Sequence, residues 1–106
     1  RAIYEYEGND FIIMVPTTIK QIMADSKELH HCAGASERYY ERIEAHETYI
    51  MFLRKKTLPQ RAWYTLEVEP GGTVRQKRSE YNRQPDLQKV NSYIKEWQKK
   101  FKRSYG

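Results

Sequence analysis

The chain has 106 residues, 39% of them hydrophobic and 31% charged, and a formal net charge of +5, so it has the material for one modest core. No apolar run approaches the roughly 20 residues that a bilayer-spanning helix needs, which excludes an integral membrane protein. A single cysteine excludes an internal disulfide framework and favours a reducing, cytoplasmic compartment. Because the chain begins at Arg1 and not at a methionine, we expect residues 1–106 to be a single domain of a longer protein.

The hydrophobic pattern predicts strands and helices in the order β-β-α-α-β-β-β-α. The strands are expected at Ala2–Tyr6, Phe11–Val15, Tyr49–Leu53, Ala62–Val68 and Thr73–Arg78, and the helices after Thr18, from Ser36 to about His46, and after Pro85. This order indicates an α+β fold, in which an antiparallel sheet of about four or five strands has helices packed on one face.

The helix after Thr18 begins with a capping box, in which the side chains of Thr18 and Gln21 satisfy free backbone N–H groups. We expect Asp25-Ser26 to interrupt this helix, because both residues favour turns over helix interiors. Its apolar positions, which we expect to be buried, are Ile19, Ile22 and Met23.

Positive charge is concentrated at the end of the chain. Residues 1–74 carry nine basic and eleven acidic side chains, whereas residues 75–106 carry ten basic and three acidic ones. The last helix places its lysines opposite an apolar stripe, which consists of Leu87, Val90, Ile94, Trp97 and Phe101. Such an excess attracts polyanions, most often nucleic acid, although a solvated helix face has the same composition.

The hairpin between the fourth and fifth strands has two alternative registers. A two-residue loop pairs Glu67 with Gln76 and gives a polar pocket. A three-residue loop pairs Val68 with Val74, and the apolar contact favours this register. Glu67 then forms an ordinary ion pair with Arg75 on a solvated face. Gln76 then points toward the apolar layer of the sheet.

A series of motifs resembles the PcfJ-like family, whose members are encoded mainly on plasmids, phages and other mobile elements. The motifs are Leu29-His30-His31-Cys32-Ala33-Gly34, Tyr39 or Tyr40, Tyr49–Arg54, Tyr64–Val68, Gln76 and Asn82. The resemblance covers roughly residues 25–97. The chain departs from the family pattern at Ser79–Asn82, where a glycine-containing turn is expected before the asparagine. The resemblance implies a mobile-element context and a longer parent protein, and it implies no particular reaction.

One constellation has the residue types of a metal-independent ribonuclease. Such an enzyme needs an acid–base pair, which His and Glu can supply, and cations on the phosphate, which Arg can supply. The candidate catalytic residues are His31 (or His30), Arg54, Glu67 and Gln76, with Arg78 nearby. Helices followed by an antiparallel sheet are also similar in layout to the barnase-like ribonucleases, an analogy of architecture and not of motif.

The His30-His31-Cys32 segment does not predict a metal site. Three adjacent side chains cannot all point at one ion, and the paired cysteine spacing of zinc sites is absent. No metal and no cofactor is therefore expected. Cys32 as a nucleophile needs a base such as His46, and nothing in the sequence brings the two together.

Nucleic acid is the first partner that the sequence predicts, with contacts in the basic last third of the chain. The expected contact residues are Arg75, Arg78, Lys95, Lys99 and Lys102, together with Trp63 as an exposed ring for base stacking. A small enzyme acting on RNA or a nucleotide is the second hypothesis. A protein-interaction domain that binds a host or defence protein is the third.

Overall fold

The computed structural model describes residues 3–30, 41, 43–45 and 47–105. The strands are β1 (Ile3–Glu7), β2 (Phe11–Val15), β3 (Tyr49–Lys55), β4 (Tyr64–Val68) and β5 (Val74–Arg78), and the long helices are α1 (Ile19–Leu29) and α2 (Leu87–Tyr105). A single 3-10 turn, Glu80–Asn82, follows β5. No helix in these described ranges is both long and apolar enough to cross a membrane.

The five strands form one antiparallel sheet in the order β1-β2-β3-β4-β5. The predicted α+β class and antiparallel sheet are therefore confirmed. The predicted second helix, Ser36 to about His46, lies mostly outside the described residues, but Glu41, Ile43 and Glu44 are helical. The strands β1 and β5 are the two edges of the sheet.

The two long helices pack on opposite faces of the sheet, so the prediction that helices pack on one face is wrong. Val90 and Trp97 of α2 share a core cluster with Leu66 of β4. Ile22 of α1 packs instead with Phe52 of β3, in a second cluster. Because successive side chains of a strand point to opposite faces, a strand apolar on both faces can be covered twice. We call these the α2 face and the α1 face.

Helix α1 contacts the sheet through a stripe that includes polar residues. Its buried residues are Ile22, Asp25, Ser26 and Leu29, which recur at helical spacing. Ile19 and Met23 are exposed, contrary to prediction, and the helix runs through Asp25-Ser26 without interruption. The predicted Thr18 cap is present, since Thr18 Oγ1 accepts a hydrogen bond from the backbone N–H of Gln21 at 3.2 Å.

The β4–β5 hairpin combines features of both predicted registers. Val68 lies opposite Val74, as the three-residue loop predicts, but Glu67 lies opposite Gln76. The register shifts between these two pairs, so Arg75 is an extra residue on β5, which is the pattern of a β-bulge. The bulge keeps the valine contact on the α2 face and places Glu67 and Gln76 together on the α1 face. The expected Glu67–Arg75 register is therefore wrong.

Candidate functional site

Polar side chains of three strands lie side by side on the α1 face. Glu67 of β4 is opposite Gln76 of β5, and Thr65 of β4 is opposite Arg78. Arg54 of β3 shares this face, because it lies two residues beyond Phe52, the partner of Thr65. Three of the four predicted catalytic residues are thus on one face, whereas His31 lies outside the described residues.

Arg54 is held by a buried carboxylate of α1. Its Nη2 donates a hydrogen bond to Asp25 Oδ1 at 3.0 Å, and the Asp25 side chain is only 1% exposed. Thr65 Oγ1 donates to the other oxygen, Oδ2, at 2.7 Å, and Arg54 Nη1 donates to the carbonyl oxygen of Pro59 at 3.0 Å. The guanidinium therefore neutralises a buried acid and fixes α1 to the sheet. Two of its nitrogens are already engaged before any phosphate approaches.

Glu67 is a second buried acid on the same face. The residue is 5% exposed, and its Oε2 accepts a hydrogen bond from Thr48 Oγ1 at 3.0 Å. Arg75 Nη1 lies 3.9 Å from the same oxygen. The predicted contact with Arg75 is therefore present, but the expectation that Glu67 is solvated is wrong, because this side chain is buried and the Thr48 hydroxyl provides the shorter contact.

The two buried acids have different hydrogen-bond partners but lie near each other along the sheet. Asp25 is bonded to Thr65, which is two residues from Glu67 on β4, or about 7 Å at the usual rise per residue. Arg54 is farther from Glu67, because it lies four residues along β3 from Ile50, the partner of Glu67, or about 13 Å. Within the described part of the chain, no three His, Cys, Asp or Glu side chains could hold one metal ion. The catalytic roles of His31, Arg54, Glu67 and Gln76 stay a prediction.

The edge strand β5 has a polar cavity along it. The cavity has a volume of about 260 Å³ and is lined by Arg75, Gln76, Lys77, Arg78, Asn82 and Gln84. Arg78 Nη2 donates a hydrogen bond to Gln76 Oε1 between two of the lining side chains, and Gln84 Nε2 donates to the carbonyl oxygen of Lys77 at 3.0 Å. Arg75 and Arg78, two of the predicted nucleic-acid contacts, are thus brought to one cavity.

A second cavity lies where the β4–β5 turn meets α2. Its volume is about 400 Å³, and it is lined by Gly71, Gly72, Thr73, Lys95, Gln98 and Lys99. Gln98 Nε2 donates to the carbonyl oxygen of Gly72 at 2.9 Å and so holds the turn against the helix. Lys95 and Lys99, one helical turn apart, therefore flank the same glycine turn. The side chain of Lys102 lies outside the described residues.

The cations of these two cavities have few acidic partners. Arg75 lies 3.7 Å from Glu69 and 3.9 Å from Glu67. Among the residues that the structure describes, Arg78, Lys95 and Lys99 form no ion pair within 4.0 Å. Most of the positive excess in these two cavities is therefore not neutralised by neighbouring carboxylates.

Trp63 is not the exposed ring that the sequence predicts. Its exposed fraction is 8%, and it belongs to the core cluster on the α2 face. Its ring makes an edge contact with Tyr64 at 5.4 Å, and Lys55 Nζ lies 5.0 Å from its centroid. Because β4 begins at Tyr64, the alternation of the strand does not extend to Trp63.

Among the described aromatic side chains, Tyr81, in the turn after β5, is more exposed than Tyr49. Tyr81 has φ 54° and Asn82 has φ 62°, so both lie in the left-handed region. Asparagine tolerates this conformation, but for tyrosine it costs on the order of 1–2 kcal/mol. The Tyr81 ring, in a residue 55% exposed, stacks on His30 with centroids 4.9 Å apart. No pattern in the sequence predicts a tyrosine in this conformation.

Two buried or bridging tyrosines connect the sheet to the last helix. Burial raises the pKa of Tyr64 to about 12, with the negative charge of Asp86 as a second cause. Its hydroxyl donates to the carbonyl oxygen of Pro85 at 2.6 Å. The Tyr6 hydroxyl donates to Glu96 Oε2 at 2.6 Å, and this bond raises the pKa of Tyr6 above its usual value. Both contacts fix the position of α2, and so of Lys95 and Lys99, over the sheet.

Comparison with known proteins identifies a family and no solved fold. No solved structure matches the chain. An uncharacterized protein of Listeria innocua, Lin1253/Lin1744, is 31% identical over 77 residues, which is 73% of this chain and 17% of that protein. The chain thus spans about a sixth of that relative's length. The family model for PcfJ-like protein matches residues 1–94, and on this match the chain belongs to the PcfJ-like family.

Proposed function

We propose that this chain is a nucleic-acid-binding module of a protein encoded on a plasmid or phage. The contact surface is the basic edge, which we define as Arg75 and Arg78 of β5 and Lys95, Lys99 and Lys102 of α2. The observation that supports the proposal is that Arg78, Lys95 and Lys99, which line two cavities, form no ion pair within 4.0 Å among the described residues. A phosphate backbone supplies the missing negative charge at regular intervals.

The spacing of the lysines argues against a merely solvated helix face. Lys95 and Lys99 are separated by four residues and lie on one side of α2. Like charges in this arrangement destabilise a helix by about 0.2–0.5 kcal/mol, whereas a Glu–Lys pair would stabilise it by a similar amount. A phosphate between the two ammonium groups turns this repulsion into attraction.

The glycine turn makes the cavity accessible to a phosphate. A Cβ atom added at Gly71 would meet no atom within 4 Å, so the turn is open on that side. Gln98 fixes the turn through the carbonyl oxygen of Gly72, which keeps the walls of the cavity in place. A phosphate group can therefore approach the backbone of the turn while the two lysines contact its oxygens.

The catalytic hypothesis has less support from the geometry. Arg54 is engaged by Asp25 and Pro59, and Glu67 is buried against Thr48. A ribonuclease needs its acid and base within hydrogen-bond reach of one substrate. The binding role needs only exposed cations, which Lys95 and Lys99 provide.

The test is a salt titration of oligonucleotide binding by the whole chain, measured by fluorescence anisotropy between 50 and 200 mM salt. We expect the affinity to fall steeply with salt, because each phosphate contact releases a counterion with a slope of about −0.7 to −0.9. The triple variant Lys95→Glu, Lys99→Glu, Lys102→Glu should abolish the binding.

A matched control is available at the start of α1. Lys20 is an exposed lysine of this helix, ten residues from His30, the cap that contacts Tyr81. The variant Lys20→Glu changes the net charge as much as Lys99→Glu does. Equal losses in these two single variants would reduce the effect to net charge, and unchanged binding in the triple variant would rule the basic edge out.

A further inference from the structure

The turn after β5 holds an aromatic ring out in solvent. Ser79 N–H donates to the carbonyl oxygen of Arg83 at 2.8 Å, and the N–H of Asn82 donates to that of Ser79 at 3.1 Å. Ser79 itself is buried. These bonds close a tight turn around Tyr81, whose left-handed backbone directs the ring away from the core. The exposure of Tyr81 is therefore built into the turn.

The ring is also oriented by a neighbour from another element. His30, the left-handed cap of α1, stacks on Tyr81 with an interplanar angle of 6°. The guanidinium carbon of Arg83 lies 5.7 Å from the ring centroid. Arg83 has no ion pair with a carboxylate in the described part of the chain, so its guanidinium can move to admit another planar group. A base entering here would meet a ring that is already fixed and an arginine that stacks on bases as readily as on tyrosine.

The polar cavity of β5 lies directly beside this ring. Asn82, the residue after Tyr81, lines the cavity together with Arg78 and Gln84. Amide side chains offer one donor group and one acceptor to the edge of a base, and arginine binds a phosphate through two parallel hydrogen bonds. Three groups that can contact an unpaired nucleotide therefore lie close together in the chain: the ring of Tyr81, the amide of Asn82 and the guanidinium of Arg78.

We propose that Tyr81 is a stacking platform for an unpaired base, and hence that the partner is single-stranded nucleic acid and not a duplex. This inference rests on the proposed function, since it uses the same basic edge for the phosphates. Bases in a duplex are stacked on one another and present no free face, whereas those of a single strand stack on aromatic side chains. DNA and RNA share this chemistry, and both are arms of the test.

The test compares two substitutions of Tyr81 in the whole chain. Tyr81→Phe keeps the ring and should bind single strands like the unchanged protein. Tyr81→Gly removes the ring and relieves the backbone, because glycine adopts a φ of 54° freely. We expect Tyr81→Gly to weaken binding of a single-stranded 12-mer, measured as DNA and as RNA, about tenfold while its binding of the matched duplexes is unchanged. Its urea midpoint should be equal to or higher than that of the unchanged protein.

The outcomes separate this inference from the proposal on which it rests. Salt-dependent binding that is equal for single strand and duplex, and insensitive to Tyr81→Gly, would overturn the stacking platform and leave the basic edge intact. No salt-dependent binding to either oligonucleotide would remove the nucleic-acid proposal itself. A Tyr81→Gly variant that loses stability and both kinds of binding together would assign the ring a merely structural role.

Discussion

The two faces of the sheet are built from different chemistry. The α2 face is an apolar layer in which Leu66, Val90 and Trp97 are almost completely buried. The α1 face buries two carboxylates, those of Asp25 and Glu67, beside a smaller apolar cluster. Buried ion pairs seldom add net stability over apolar residues of similar volume. The α2 face therefore makes the larger apolar contribution to stability, whereas the α1 face combines a smaller apolar cluster with charged groups that are buried and paired.

The largest effect should come from the α2 face. Trp97→Ala removes the largest fully buried side chain and leaves a cavity, which costs about 3–5 kcal/mol of the free energy of unfolding. That is a large share of the total for a small domain. Urea unfolding followed by circular dichroism measures it. Should Trp97→Ala not fold, Ile94→Val gives the same test on a smaller scale, with an expected loss of about 0.5–1.5 kcal/mol.

A loss well under 1 kcal/mol for Trp97→Ala would show that the apolar layer is not the main source of stability. The two faces would then differ in composition but not in energetic role.

The α1 face should respond to single and double substitution in opposite ways. Asp25→Leu leaves the guanidinium of Arg54, which is 15% exposed, without its carboxylate, and should cost about 3 kcal/mol. The double variant Asp25→Leu, Arg54→Leu removes both charges and should recover most of this loss. With the single variant Arg54→Leu these proteins complete a double-mutant cycle, and urea unfolding gives the coupling energy.

The same double variant also tests whether the charged pair of Asp25 and Arg54 has a catalytic role. A protein that is stable but has lost a ribonuclease activity of the unchanged chain would support the catalytic role predicted for Arg54. Double substitution as costly as the sum of the singles would instead mean that the coupling energy is zero, so that Asp25 and Arg54 contribute to stability independently of each other.

The apolar stripes were predictable from the sequence, and the polar exceptions were not. Val90, Ile94 and Trp97 recur at helical spacing, and they are buried as expected. In α1 the same reasoning failed, because Asp25 occupies a buried position that periodicity assigns to an apolar residue. The carboxylate is accommodated there by Arg54 and Thr65, which are 29 and 40 residues away in the chain. Only the folded sheet brings these partners together.

The candidate site was also only partly predictable from the sequence. Its cations were visible as a charge excess in the last third of the chain, and Arg78, Lys95 and Lys99 do line cavities. The sequence assigns the stacking ring to Trp63, because the predicted strand begins at Ala62, two residues before the start of β4. The bulge at Arg75 was missed since both registers were treated as alternatives, whereas an extra residue on an edge strand accommodates both pairings.

The smallest effect concerns the hydrogen bond that holds the start of α2 against the sheet, and it depends on pH. The pKa of Tyr64 is raised from 10.0 to about 12 in the folded protein, mainly by burial. Between these values the unfolded chain has released the proton that the folded chain still holds, so stability falls as pH rises. Below pH 10 the contribution is fully present. Tyr64→Phe removes the group and should abolish this part of the decline.

At neutral pH the same substitution removes only the hydrogen bond to Pro85 and should cost about 1 kcal/mol. Urea midpoints of both proteins at pH 7, 10 and 11 therefore give two independent quantities. The difference at pH 7 measures the hydrogen bond, and the change in that difference toward pH 11 measures the raised pKa of Tyr64. Lysines also titrate in this range, but they are the same in both proteins and cancel in the difference. A difference between the two midpoints that stays constant from pH 7 to 11 would contradict the raised pKa. It would mean that solvent reaches the Tyr64 hydroxyl on the α2 face.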